Sequence, residues 1–145
     1  MIYRHLQTGT LLRLMAGEKL PDALVEFARK ENWTSGWLSG IGGVDEVVLA
    51  YFDRASREYK QRRFDGVYEL LSCVGNLSMA DGGPLWHLHA LIGDANYQVA
   101  GGHLVGLRIA VTGEFWLIQG KGRVDRVPDD QTGLRLLDLN PPSTE

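Results

Sequence analysis

Cysteine is almost absent from this chain. Cys73 stands alone, so no disulfide can form within it. The chain does not open with a basic stretch running into an apolar one, and with the lone cysteine this predicts a reducing, cytoplasmic setting. Long hydrophobic runs are missing too. The apolar stretches are broken by polar residues well short of the ~20 residues a membrane helix needs, which predicts a soluble protein without a membrane partner. A basic excess is also lacking: the net charge is −3 with neutral histidines, whereas binding driven by phosphate contacts needs a clear positive balance. DNA is therefore disfavoured as a partner. No internal repeat or low-complexity tract occurs.

Glycine is abundant, at 18 of 145 residues against a usual share of about 7%. Most glycines lie within or beside apolar runs, which points to tight turns and bulges in a β-rich chain. The length suits one domain with its own core, expected over residues 1–140 with a flexible C-terminal tail at 141–145.

Alternating patterns predict strands at Ile2 to Gln7 and at Thr10 to Met15. One helix is expected from Pro21 to about Asn32, with Leu20, Leu24, Phe27 and Ala28 at helical spacing and a polar face of Asp22, Glu26, Arg29 and Lys30. Ser39-Gly40-Ile41-Gly42-Gly43 does not complete a phosphate-loop fingerprint. It reads as a strand ending in a bulge or a close backbone contact. Val47 to Phe52 and Glu58 to Phe64 read as a hairpin whose second arm is a charged edge strand. The cations Arg54, Arg57, Lys60, Arg62 and Arg63 then form a solvated face, or a local basic patch. Tyr68 to Met79 is a strand in which Cys73 fills core space, and Leu104 to Gln119 is a long apolar run. Leu134 to Leu139 is a short apolar segment able to dock on the body or on a neighbouring subunit. One helix among seven or eight strands gives an α+β class with a mainly antiparallel, mixed sheet.

Three of the four histidines fall between residues 84 and 103. His87 and His89 are two apart in a strand, so their rings leave the same face. Whether His103 joins them depends on the connection. A three-residue loop at 94–96 sets His103 opposite His87, and one at 95–97 sets it opposite His89. A two-residue loop, or a bulge at Gly101-Gly102, sends it to the other face. Three converging neutral imidazoles with an open fourth position describe a catalytic type of divalent-metal site, zinc in the first place, with nickel, copper and iron also compatible. Surface histidines without a ligand are the alternative. Glu114 stands among apolar neighbours. Facing inward it needs a cation, a metal or a hydrogen-bond partner, and facing outward it needs nothing.

Gly17-Glu18, Ser39-Gly40-Ile41-Gly42, Tyr68-Glu69-Leu70-Leu71-Ser72, Gly75-Asn76-Leu77-Ser78, His87-Leu88-His89 and Gly101-Gly102-His103-Leu104 together resemble the plant and prokaryote conserved (PPC, DUF296 or PD1-like) domain. The resemblance runs over about residues 5–137. It implies an α/β unit that assembles as a homotrimer, in the stand-alone prokaryotic form. Plant members join the domain to an AT-hook and bind DNA, and prokaryotic relatives carry a DNA-binding label by analogy. This chain has no Arg-Gly-Arg-Pro hook, and Gly66-Val67-Tyr68-Glu69-Leu70 lacks the arginine of the plant partner-contact segment.

The fold is also similar to that of acetolactate decarboxylase, whose zinc is held by a His-x-His pair and a later histidine. His87, His89 and His103 match that pattern. The decarboxylase activity does not follow from it, because fold does not fix function. The resulting expectation is a trimeric metal-binding protein with His87, His89 and His103 as ligands, acting on or sensing a small molecule, with Glu114 or Glu69 as a base or extra ligand. A DNA-associated regulatory protein and a structural trimer without activity are the rival readings.

Overall fold

The computed structural model describes residues 1–140; the tail expected at 141–145 lies outside them. Ten strands and one helix follow in the order β1 (Ile2–Leu6), β2 (Gly9–Met15), β3 (Lys19–Leu20), α1 (Asp22–Lys30), β4 (Gly36–Asp53), β5 (Glu58–Phe64), β6 (Tyr68–Ala80), β7 (Gly83–Gly93), β8 (Val99–Gln119), β9 (Asp125–Pro128) and β10 (Arg135–Asp138). All belong to one sheet. Every pairing is antiparallel except a parallel bridge between β6 and β9 at Met79 and Asp125, so the sheet is mixed, as the sequence led us to expect. The pairings β8–β4, β4–β6, β6–β7 and β7–β8 return to their starting strand and close a ring. Closure leaves fewer exposed edges than an open sheet of the same strands. β5 pairs only with β4 and is the polar edge strand.

Local chemistry explains the turns. β6 and β7 are joined by Asp81 and Gly82 alone, both at positive φ (50° and 78°), as a type I′ hairpin requires. The helix begins after Pro21, whose carbonyl accepts from the N–H groups of Leu24 and Val25. It ends in a Schellman arrangement. Asn32 adopts φ 55°, its N–H donates to the Arg29 carbonyl, and the Trp33 N–H donates to that of Ala28. Its buried face, Ala23, Leu24, Phe27 and Ala28, packs toward β7 and β3. Trp86 pins it there by donating its indole N–H to the Leu24 carbonyl at 3.0 Å.

Four features differ from the sequence reading. The strand read as ending at Ser39 to Gly43 and the arm Val47 to Phe52 are one bent strand, Gly36–Asp53: the register shifts between Asp45 and Val48, with Glu46 at φ 49°. Leu104 to Gln119 is the greater part of a strand that already begins at Val99. The polar region after Gln119, where no strand was read, holds the hairpin β9–β10, and β3 was too short to leave a periodic signal. Cys73 is buried in the core, and burial pushes its thiol up to about 12.

Gly40 shows why the glycine run is needed. It lies at a bulge between β4 and β6, and a Cβ there would stand 2.1 Å from the ring of Phe115, which is fully buried. That ring has no free volume to retreat into. Gly40→Ala is therefore expected to lower unfolding stability by roughly 1–3 kcal/mol, the usual cost of overpacking a core, as measured by urea denaturation.

Candidate metal centre

Alternation along β7 sends Trp86, Leu88, Ala90 and Ile92 into the core and His87 and His89 to the opposite face. The next connection fixes the register. Asp94 and Gln98 close it, with the Asp94 N–H donating to the Gln98 carbonyl and the Tyr97 N–H to the Asp94 carbonyl, both at 3.0 Å. The Asp94 carboxylate accepts from the backbone N–H groups of Asn96 and Gln98, and Tyr97 sits at φ 61°. This is the three-residue loop at 95–97, a turn followed by a left-handed residue. It sets His103 directly opposite His89. Gly101 and Gly102 pair regularly with Leu91 and Ala90, so no bulge flips the face.

The three imidazoles converge. Ring centroids are 5.1 Å apart for His87 and His89, 5.2 Å for His87 and His103, and 5.6 Å for His89 and His103. One nitrogen from each lies within 4.8 Å of the others. Gly75 makes this approach feasible, because a Cβ there would stand 2.0 Å from the His87 carbonyl oxygen. Tyr59, from β5, stacks at 4.8 Å from the His103 ring and roofs that side.

Electrostatics favour the ligand form of these rings. Burial, then Arg126, then the other two histidines push His87 down to about 4, and burial with His89 and Arg126 also lowers His103. Both are neutral near pH 7. The Nδ1 of His103 is buried and has no hydrogen-bond partner among the described residues. A buried nitrogen without a partner is costly in a purely structural histidine and is relieved by a metal ion. The donor set thus fits a divalent metal.

His87 and His103 open onto a cavity of about 280 Å³, walled by Tyr59, Leu85, Trp86, Arg126 and the segment Leu134 to Leu136. The C-terminal apolar segment thus reaches the cavity with Leu134 and Leu136, while Leu136, Leu137 and Leu139 stay exposed. Arg126 is the residue that sequence reasoning missed. It lies in β9, in a stretch with no apolar periodicity, and only the parallel bridge at Met79 brings it beside the histidines. Asn76, which pairs with His87 across β6 and β7, holds its guanidinium.

Glu69 and Glu114 are placed elsewhere. Both are exposed, on β6 and β8, and line a second cavity with Ile41, Gly42, Gly43, Leu71, Val111 and Thr112. The basic cluster is partly paired: Lys60 with Asp53 and Arg63 with Asp65 at 2.9 Å, while Arg62 lies over the Phe64 ring. His5 bonds to Thr10 and Glu31, away from the triad.

Known proteins resemble this chain in sequence and fold. A metal-containing protein from Archaeoglobus fulgidus superposes with a TM-score of 0.83 at 33% identity, over 94% of this chain and 97% of that one. A Bacteroides thetaiotaomicron protein named "putative dna binding protein" superposes with a TM-score of 0.90 at 25% identity, over 94% and 96%. Acetolactate decarboxylase from Bacillus subtilis shares the fold alone, with a TM-score of 0.56 and 16% identity over 79% of this chain and 54% of the enzyme. Among curated sequences, the bifunctional protein GlmU of a Synechococcus strain is 32% identical over 97% of this chain. The chain spans only 23% of that relative's length. The family described as the Plants and Prokaryotes Conserved domain matches residues 1–120, and this chain belongs to that family.

Proposed function

We propose that the chain is a cytoplasmic, trimeric metal-binding protein that acts on or senses a small molecule at the site formed by His87, His89 and His103. The observation that carries this reading is the convergence of three imidazoles, two of them held neutral, with the His103 Nδ1 left without a partner. A divalent ion held by three histidines keeps an open position, where it can polarise an oxygen or lower the pKa of a bound water. Zinc suits the donor set best. The metal-containing archaeal relative supports the reading at the level of metal binding.

Trimer formation is supported by an apolar face. Ile41, Leu71, Leu91, Val99 and Val111 are all exposed, Val111 at 67%, and come from β4, β6, β7 and β8 of one sheet. An apolar patch of this kind on a single chain marks an association surface. Glu69 and Glu114 lie on it. They could serve as base or extra ligand only for a site brought up by a neighbouring copy.

The DNA-binding reading rests on the Bacteroides relative's name and on the cluster Arg54 to Arg63. With Lys60 and Arg63 paired to acids and a net charge of −3, little free positive charge remains to release counterions from a duplex.

Protein purified without an affinity tag is expected to carry close to one equivalent of divalent metal per chain by elemental analysis. The double variant His87→Ala/His89→Ala should carry nearly none, and equal metal in both would sink the proposal. In metal-free protein, the unfolded His87 takes a proton near 6.5 and the folded one only near 4. Stability should thus fall as pH drops from about 6.5 to 4 and lose nothing further from this group below that, a slope that His87→Ala should reduce in pH-dependent thermal melts. Sedimentation should give three times the 16.1 kDa chain mass, and Val111→Glu should shift the protein to smaller species.

A further inference from the structure

The histidine cavity holds a cation whose purpose the metal site does not explain. Arg126 is half-buried, yet among the described residues no carboxylate pairs with it. The other arginine of the cavity, Arg135, is spent on Asp81 at 2.8 Å. Arg126 is held by neutral acceptors: its Nε donates to the Ser78 hydroxyl at 2.8 Å, one terminal nitrogen to the Arg135 carbonyl and the other to the Asn76 side-chain oxygen, both at 2.9 Å. A guanidinium has five N–H donors. Three are used, which leaves one on each terminal nitrogen.

A fixed, partly desolvated and unpaired guanidinium is costly in isolation. A dication on the histidines would add like charge to the same cavity, and among the described residues no acid lines it to offset that charge. The missing component is negative. Two free N–H groups on one planar fork suit a carboxylate, which can accept through both oxygens. The walls limit the rest of the ligand. Leu85, Trp86, Leu134, Leu136 and the Tyr59 ring line a volume of about 280 Å³, room for a compact apolar body and little more.

We propose that Arg126 is the anion-binding residue of this cavity and that its ligand is a small carboxylic acid with an apolar body. The inference rests on the proposed function in placing the ligand beside the histidines, but Arg126 holds its end of the ligand with or without metal. Benzoate is a suitable probe, and benzamide is its neutral counterpart of the same shape. Binding is measured by ligand-observed NMR on chelator-stripped and zinc-loaded native protein. Benzoate should bind both forms at least ten-fold more tightly than benzamide. Arg126→Met should remove that preference, leave benzamide binding unchanged and leave the metal content of the protein unchanged. Arg126→Lys, which keeps the charge without the fork, should recover part of it.

Equal affinity for benzoate and benzamide in the wild-type protein, or no benzoate binding, overturns the inference without reference to any variant. So does full benzoate affinity in a folded Arg126→Met protein. Elemental analysis separates this failure from that of the metal reading: metal-free protein that still selects benzoate through Arg126 removes the metal and keeps the anion site, and metal-loaded protein indifferent to benzoate does the reverse.

Discussion

β7 and β8 are paired over only five residue pairs, from His89–His103 to Gly93–Val99. That ladder closes the ring of strands and also brings the third imidazole to the first two. Both outcomes depend on one register, because a slip of a single residue would turn every side chain of the returning strand to the other face. The register is held locally by the Asp94 carboxylate and the left-handed Tyr97, and globally by the closed ring, which leaves β8 no alternative alignment with β4 and β7 together. Gly102 belongs to the same constraint. A Cβ on it would stand 2.8 Å from the Ala50 carbonyl oxygen, so the strand beside the triad approaches β4 at backbone distance.

The charge pattern around the triad follows from what the outer face of the ring carries. β7 gives its even positions to the core and its odd ones to this face, and the short hairpin β9–β10 then lies across part of it. Burial lowers the proton affinity of His87 and His103, and Arg126, delivered by that hairpin, lowers it further. Protons and metal ions compete for the same nitrogens, so rings already neutral at pH 7 need lose no proton to coordinate, while the Arg126 charge opposes a bound cation as it opposes a proton. One small element thus encloses the site and supplies its fixed positive charge.

Much of this was legible in the sequence, where the chemistry is local. The parity of 87, 89 and 103 limited the outcomes to a few, and the loop at 95–97 was among them. The helix, its end at Asn32, the edge strand at Glu58 to Phe64 and the close contact at Gly40 all left signals in pattern or composition. What stayed hidden depends on distant pairing. Arg126 comes to the triad through a parallel bridge some forty-five residues from its partner strand, and Val124 to Pro128 has no alternation to mark it. Glu114, and after it Glu69, looked suited to join the histidines, since periodicity reports which face a residue takes and not which end of a ring. The single strand Gly36–Asp53 read as two because a bend at Glu46 interrupts its alternation.

The outer face therefore carries two kinds of surface that ask for different partners. Near the triad it is concave, walled by Tyr59, Arg126 and β10, and there the proposed metal and anion would sit. Toward Ile41, Leu71 and Val111 it is open and apolar, with Glu69 and Glu114 set into it, and there the proposed association with another copy would take place. A carboxylate amid exposed apolar residues is poorly placed for burial against a plain apolar partner, because its charge would lose water without compensation. Association over this face then requires a cation, a proton or a metal opposite each glutamate. That requirement ties the acids to the assembled state rather than to the single chain, and makes the composition of the interface, more than its area, the condition for their taking part in any chemistry.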